Sequence, residues 1–155
     1  MNIGEKYYHH CTKSIVIHYD DCLSNISEVI TNCPHIFQPS ASPKIKSYFE
    51  ESLNRKGWVS NVRIDSRTAA SVSFMKLDVA FVFQVGNIAR AYADLLKLTL
   101  LVHKQVTSIG ILAVACRNEA KLMGANYANY ERVVNELVVY SDILFYPLLV
   151  LGITN

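Results

Sequence analysis

Charge is scarce in this chain. Asp, Glu, Lys and Arg make up 18% of its 155 residues against 51% hydrophobic ones. That ratio excludes a disordered polyelectrolyte and predicts a well-buried sheet or a subunit interface. The formal net charge of +2 is too small to act as a phosphate footprint unless the basic residues cluster on one face. The four cysteines, Cys11, Cys22, Cys33 and Cys116, form no CxxC pair and read as reduced, cytosolic thiols. His9, His10, Cys11, His18 and Cys22 are metal-compatible, but they lack the ordered CxxC or HxxxH spacing of a zinc site. The six glycines are scattered, which excludes a P-loop, a dinucleotide fingerprint and a serine-hydrolase elbow.

Long apolar runs are missing too. The most apolar stretch, Ile143 to Ile153, contains Pro147 and falls well short of the roughly 20 residues of a membrane span. It reads as a buried strand. Glu5, Lys6 and the paired histidines interrupt any secretory apolar core near the start, so a cytoplasmic location without membrane association is expected.

The length suits one domain with a continuous core. Ile15, Val16 and Ile17 suggest a short strand or extended arm, followed by a helix carrying Leu23, Ile26, Val29 and Ile30. Gln38 to Pro43 is a breaker cluster whose Ser42-Pro43 starts a helix with Ile45, Tyr48, Phe49 and Leu53 inward, ended by Gly57. Trp58 is a predicted core anchor, and residues 59–66 a weakly alternating strand. Val72, Phe74, Val79, Phe81, Phe83 and Val85 share the buried face of a predicted hairpin. With Leu77-Asp78 as its turn, Lys76 pairs with Val79, Phe74 with Phe81 and Ser73 with Val82. A second face, carrying Ser73, Ala80, Val82 and Gln84, would be half-exposed.

Asn87 is a predicted cap for a helix over 88–103 with Ile88, Tyr92, Leu95, Leu96, Thr99 and Val102 inward. A strand over 109–115, a helix over 126–140 and a strand over 144–153 complete a mixed sheet flanked by helices.

The hairpin Val72-Ser73-Phe74-Met75-Lys76 and Val79-Ala80-Phe81-Val82-Phe83-Gln84-Val85-Gly86-Asn87 resembles the core of BglII-type restriction endonucleases, a branch of the PD-(D/E)xK nucleases. The likeness continues through Asn87-Ile88-Ala89-Arg90 to Lys97, Ile109 to Leu112, Tyr130 to Leu137 and Pro147 to Ile153. It covers roughly residues 44–153, with 1–43 as an N-terminal helical or extended segment of the same domain.

The resemblance implies a restriction-endonuclease-like α/β fold, contact with DNA and a homodimer or an association with a related subunit. That family keeps an Asp on the first hairpin strand and Glu-x-Gln, then Asn, on the second. Here Ser73 and Val82 stand at the acid positions, while Gln84 and Asn87 match. The resemblance therefore implies impaired or absent cleavage with no cofactor, or Mg²⁺ if the protein is active through relocated carboxylates at Glu50, Glu51 or Asp65. Arg90, Lys97 and Lys104 are candidate phosphate contacts alongside Asn87; a solvated helix face with an Arg90/Asp94 ion pair is the competing expectation. Lys44, Lys46, Arg55 and Lys56 are similarly open. A structural subunit that binds no nucleic acid is a third reading.

Overall fold

A computed structural model describes residues 1–155. In chain order the elements are β1 (Asn2–His9), α1 (Lys13–Ile17), α2 (Asp20–Thr31), α3 (Ser42–Arg55), β2 (Val59–Arg63), β3 (Ser71–Lys76), β4 (Val79–Gln84), α4 (Ile88–His103), β5 (Ile109–Ala115), α5 (Arg117–Met123), α6 (Tyr130–Val139) and β6 (Leu148–Thr154). The strands form one mixed sheet in the order β1-β6-β5-β4-β3-β2. β4, β5 and β6 are parallel; β1 runs antiparallel to β6, and β2, β3 and β4 form an antiparallel meander.

Composition explains the order. β4 and β5 are apolar enough to be buried on both faces, and every residue of each is buried, so they take the middle of the sheet with helical crossovers between parallel partners. Under α2 and α3 lies an aromatic core of Phe37, Phe49, Trp58, Phe81 and Phe83; under α4 and α6 lies an aliphatic one that includes Val82, Leu95, Leu98, Leu112, Val133 and Leu137.

Local signals place several boundaries as expected. Gly57 at φ +82° ends α3, a backbone region that costs glycine little. The Asn87 side chain accepts from the Arg90 N–H at 3.2 Å and starts α4.

Four expectations need correction. Ile15 to Ile17 are helical rather than extended, because the Thr12 hydroxyl accepts from the Ile15 N–H at 3.4 Å and caps a single turn. β1 is an additional strand, whose partner β6 lies at the other end of the chain. The buried stripe of α4 is Ala91, Leu95, Leu98 and Leu101, leaving Leu96 61% exposed; both stripes satisfy helical periodicity, and the sheet selects one. α6 starts at Tyr130, where the Asn129 side chain accepts from the Arg132 N–H at 3.0 Å, rather than at Asn126, whose carbonyl accepts from the Ile88 N–H. No helix is long and apolar enough to cross a membrane.

Candidate functional site

The β3–β4 hairpin carries the residues of interest. Its ladder contains Lys76↔Val79, Met75↔Ala80 and Phe74↔Phe81, the predicted register, with Leu77 at φ +52° in the turn. The expected next pair, Ser73 with Val82, is absent from the ladder. β3 is interrupted at the same residue on its other side. β2 and β3 pair at Ser60↔Phe74 and again at Val62↔Val72, skipping Asn61 and Ser73, and Asn61 sits at φ +54°. A left-handed residue inside a strand reverses the local pleat, and Asn accepts that conformation better than most side chains.

The consequence is visible in packing. Val72 joins the core under α4, whereas Phe74 joins the core under α3, although both were expected on one buried face. β3 departs from β4 while β4 stays with β5, and the opening is a cleft of about 320 Å³. It is lined by Ser71, Ser73, Val82 and Gln84 of the hairpin, by Asn61 of β2, by Lys46 from α3 and by Arg90, Asp94 and Lys97 from α4. An adjoining hollow of about 200 Å³ shares Lys46, Asn61 and Ser73 and adds Glu50 and Ser60.

Most polar groups here are held in place. Gln84 is buried, and its amide N–H donates to Asp94 Oδ2 at 2.5 Å. Lys97 Nζ reaches Asp94 Oδ1 at 3.0 Å, so the carboxylate is occupied on both oxygens. A Cβ on Gly86 would fall 2.9 Å from Gln84 Oε1, so a side chain there would displace the glutamine. Glu50 Oε1 accepts from Ser60 Oγ and Asn61 Nδ2, each at 3.2 Å.

Of the residues singled out in the sequence, the fold gathers Ser73, Val82, Gln84, Arg90 and Lys97 in one cleft, with Glu50 beside it. It removes others. Glu51 points into solvent in an ion pair with Arg55 at 2.6 Å. Asp65 is bound by Arg67 at 2.9 Å and Lys104 at 3.5 Å in the loop after β2, and the Arg67 guanidinium and backbone N–H hold its carboxyl well below the usual carboxylate range. Lys104 is thereby drawn away from the strip expected with Arg90 and Lys97. The Asn87 side chain is committed to its cap. Asp94 pairs with Lys97, not Arg90. Ala80, Val82 and Gln84, expected to be half-exposed, are buried under α4. Asn61 escaped attention in the sequence; its one signal was an Asn interrupting the weak alternation of residues 59–66.

A family model described as restriction endonuclease BglII/BglIII matches residues 4–153. The chain belongs to the BglII/BglIII restriction endonuclease family. Among solved structures, restriction endonuclease BglII in complex with a DNA 16-mer superposes with a TM-score of 0.81 at 15% identity, covering 100% of this chain and 79% of that one. Free BglII superposes with a TM-score of 0.74 at 18% identity, over 100% and 80% of the two chains. The mixed six-stranded sheet with its flanking helices is thus the BglII fold. No curated protein matches the chain in sequence.

The BglII family brings with it an expectation of Mg²⁺, a hard cation that takes oxygen ligands in near-octahedral geometry. The residues of this cleft do not fit that ion. Val82 offers no donor and Ser73 a neutral hydroxyl; Asp94, the one carboxylate that lines the cleft, bonds Gln84 and Lys97, and Glu50 lies in the adjoining hollow, where its Oε1 accepts from Ser60 and Asn61. No three His, Cys, Asp or Glu side chains converge anywhere in the fold.

Proposed function

We propose that this BglII-family protein contacts duplex DNA through the β3–β4 cleft and that its cleavage activity is impaired or absent. The observation that carries the reading is the composition of the cleft: Ser73, Val82 and Gln84 line it together with Lys46, Arg90 and Lys97, and Ser73 and Val82 are the residues that the resemblance puts at the family's acid positions. Phosphodiester hydrolysis by such a fold relies on a divalent ion to activate water and to stabilise charge on the phosphate. A hydroxyl and an isopropyl group cannot hold that ion. Cationic side chains, by contrast, contact backbone phosphates without it. Low overall charge and the exposed apolar side chains Leu96, Val139, Tyr140 and Ile143 around α4 and α6 favour association with a second copy or a related subunit.

A cleavage assay in Mg²⁺ and in Mn²⁺ tests this, run on the natural chain beside one carrying both Ser73→Asp and Val82→Glu. The expected result is salt-sensitive duplex binding by both and cutting by the double variant alone. Robust hydrolysis by the natural chain overturns the reading. Glu50 favours a second reading, an active Mg²⁺-dependent site-specific endonuclease with a relocated acid, because it lines the same hollow as Ser73. In that case the natural chain cuts DNA and Glu50→Gln stops it.

A further inference from the structure

The cleft contains more positive charge than its carboxylates neutralise. Lys97 is matched by Asp94, but every other ion pair of the protein lies elsewhere, and neither Lys46 nor Arg90 takes part in one. Both are exposed and line the same cleft from different helices, Lys46 from α3 and Arg90 from α4. Ser71 and Ser73 line the same cleft.

A cleft floored by two carboxylates repels a phosphate until a divalent ion bridges the two. With serine and valine there instead, that repulsion is gone and the lysine and arginine act on the phosphate directly. Taking the DNA-contacting reading above as its basis, we propose that this cleft is a metal-independent seat for one backbone phosphate of duplex DNA, in which Lys46 and Arg90 supply the charge a divalent cation would bring. Asp94 has a positioning part in this. Its two carboxylate oxygens hold the Gln84 amide and the Lys97 ammonium at the cleft wall.

The test measures duplex binding by fluorescence anisotropy across a salt series, with chelator and again with Mg²⁺. The natural chain is expected to bind equally in both. Lys46→Ala with Arg90→Ala is expected to weaken binding about tenfold or more at low salt and to flatten the slope of log affinity against log salt by about 1. Lys13→Ala with Lys121→Ala removes the same charge outside the cleft lining and should leave most of the affinity intact. Ser73→Asp is expected to weaken binding in chelator and to recover it on addition of Mg²⁺. Thermal melting of each variant establishes that it is folded.

Loss of natural-chain binding in chelator overturns the proposal. So does unchanged affinity in the Lys46/Arg90 variant, or equal metal-free binding by Ser73→Asp. In the latter two cases the DNA-contacting function survives and only the seat is wrong. Absence of any salt-sensitive binding by the natural chain overturns both.

Discussion

At its turn end the β3–β4 hairpin is closed by three successive pairs, and Phe81 packs there against Phe74 and Trp58 with ring centroids 5.9 and 6.0 Å away. At the other end the same strands part at Ser73 and Val82 and enclose Gln84, Asp94 and Lys97. The first end is dry and aromatic, the second polar. Regular pairing closes the hairpin at its aromatic end, and the cleft lies where that ladder has ended, beside the left-handed Asn61 of the neighbouring strand.

The largest expected effect is at the closed end. Phe81→Ala should cost about 3–5 kcal/mol, because the ring is fully buried and its neighbours cannot collapse into the space. Urea denaturation measures this, and a cost as small as that of a surface change would erase the distinction between the two ends. At the open end Asp94→Ala strands the buried Gln84 amide and half-buried Lys97, for about 1–3 kcal/mol. Asp94→Asn, which retains an acceptor, should recover part of it; equal losses in the two variants would show that the Gln84 bond contributes nothing.

The opening itself is probed at Asn61. Asn61→Val puts a β-branched residue in the left-handed region and should cost about 1–2 kcal/mol, whereas Asn61→Gly should be tolerated in a thermal melt. Identical melting temperatures for the two would mean that the residue leaves this conformation freely.

The smallest effect lies away from the hairpin and calibrates the others. His9 is buried beneath the Leu144 carbonyl, and burial lowers its pKa from the ordinary 6.5. The unfolded chain then binds the proton more readily than the folded one. Stability from this group is therefore complete above about pH 6.5 and declines as the pH falls below it. His9→Gln should flatten that acid limb in denaturation midpoints without altering the ranking of the hairpin variants.

Much of the hairpin was legible because its determinants are local. Lys76↔Val79 and Phe74↔Phe81 follow from the turn position, Asn87 from its side-chain oxygen preceding an apolar helical stripe, and Gly57 from its freedom at positive φ. The family resemblance rode on the same residues. The site was less legible. Val72 and Phe74 share a parity that predicts one face, and the fold sends them to opposite cores. Asp65 and Lys104 looked as available as Glu50 and Lys97; the four-residue spacing of Glu51 and Arg55 on one helix already favours their pair, whereas only the fold brings Lys104 to Asp65.

The amino-acid order alone determined the strands and helices around the hairpin, their caps, its register near the turn and the identity of residues 73, 82 and 84, since each depends on neighbours a few positions away. Tertiary structure decided the rest. It set β1 beside β6, rotated α4 to bury Leu98 rather than Leu96, and brought Lys46, Asn61 and Arg90 to one opening. These outcomes depend on which surfaces are removed from water together, and residues far apart in the chain settle that jointly.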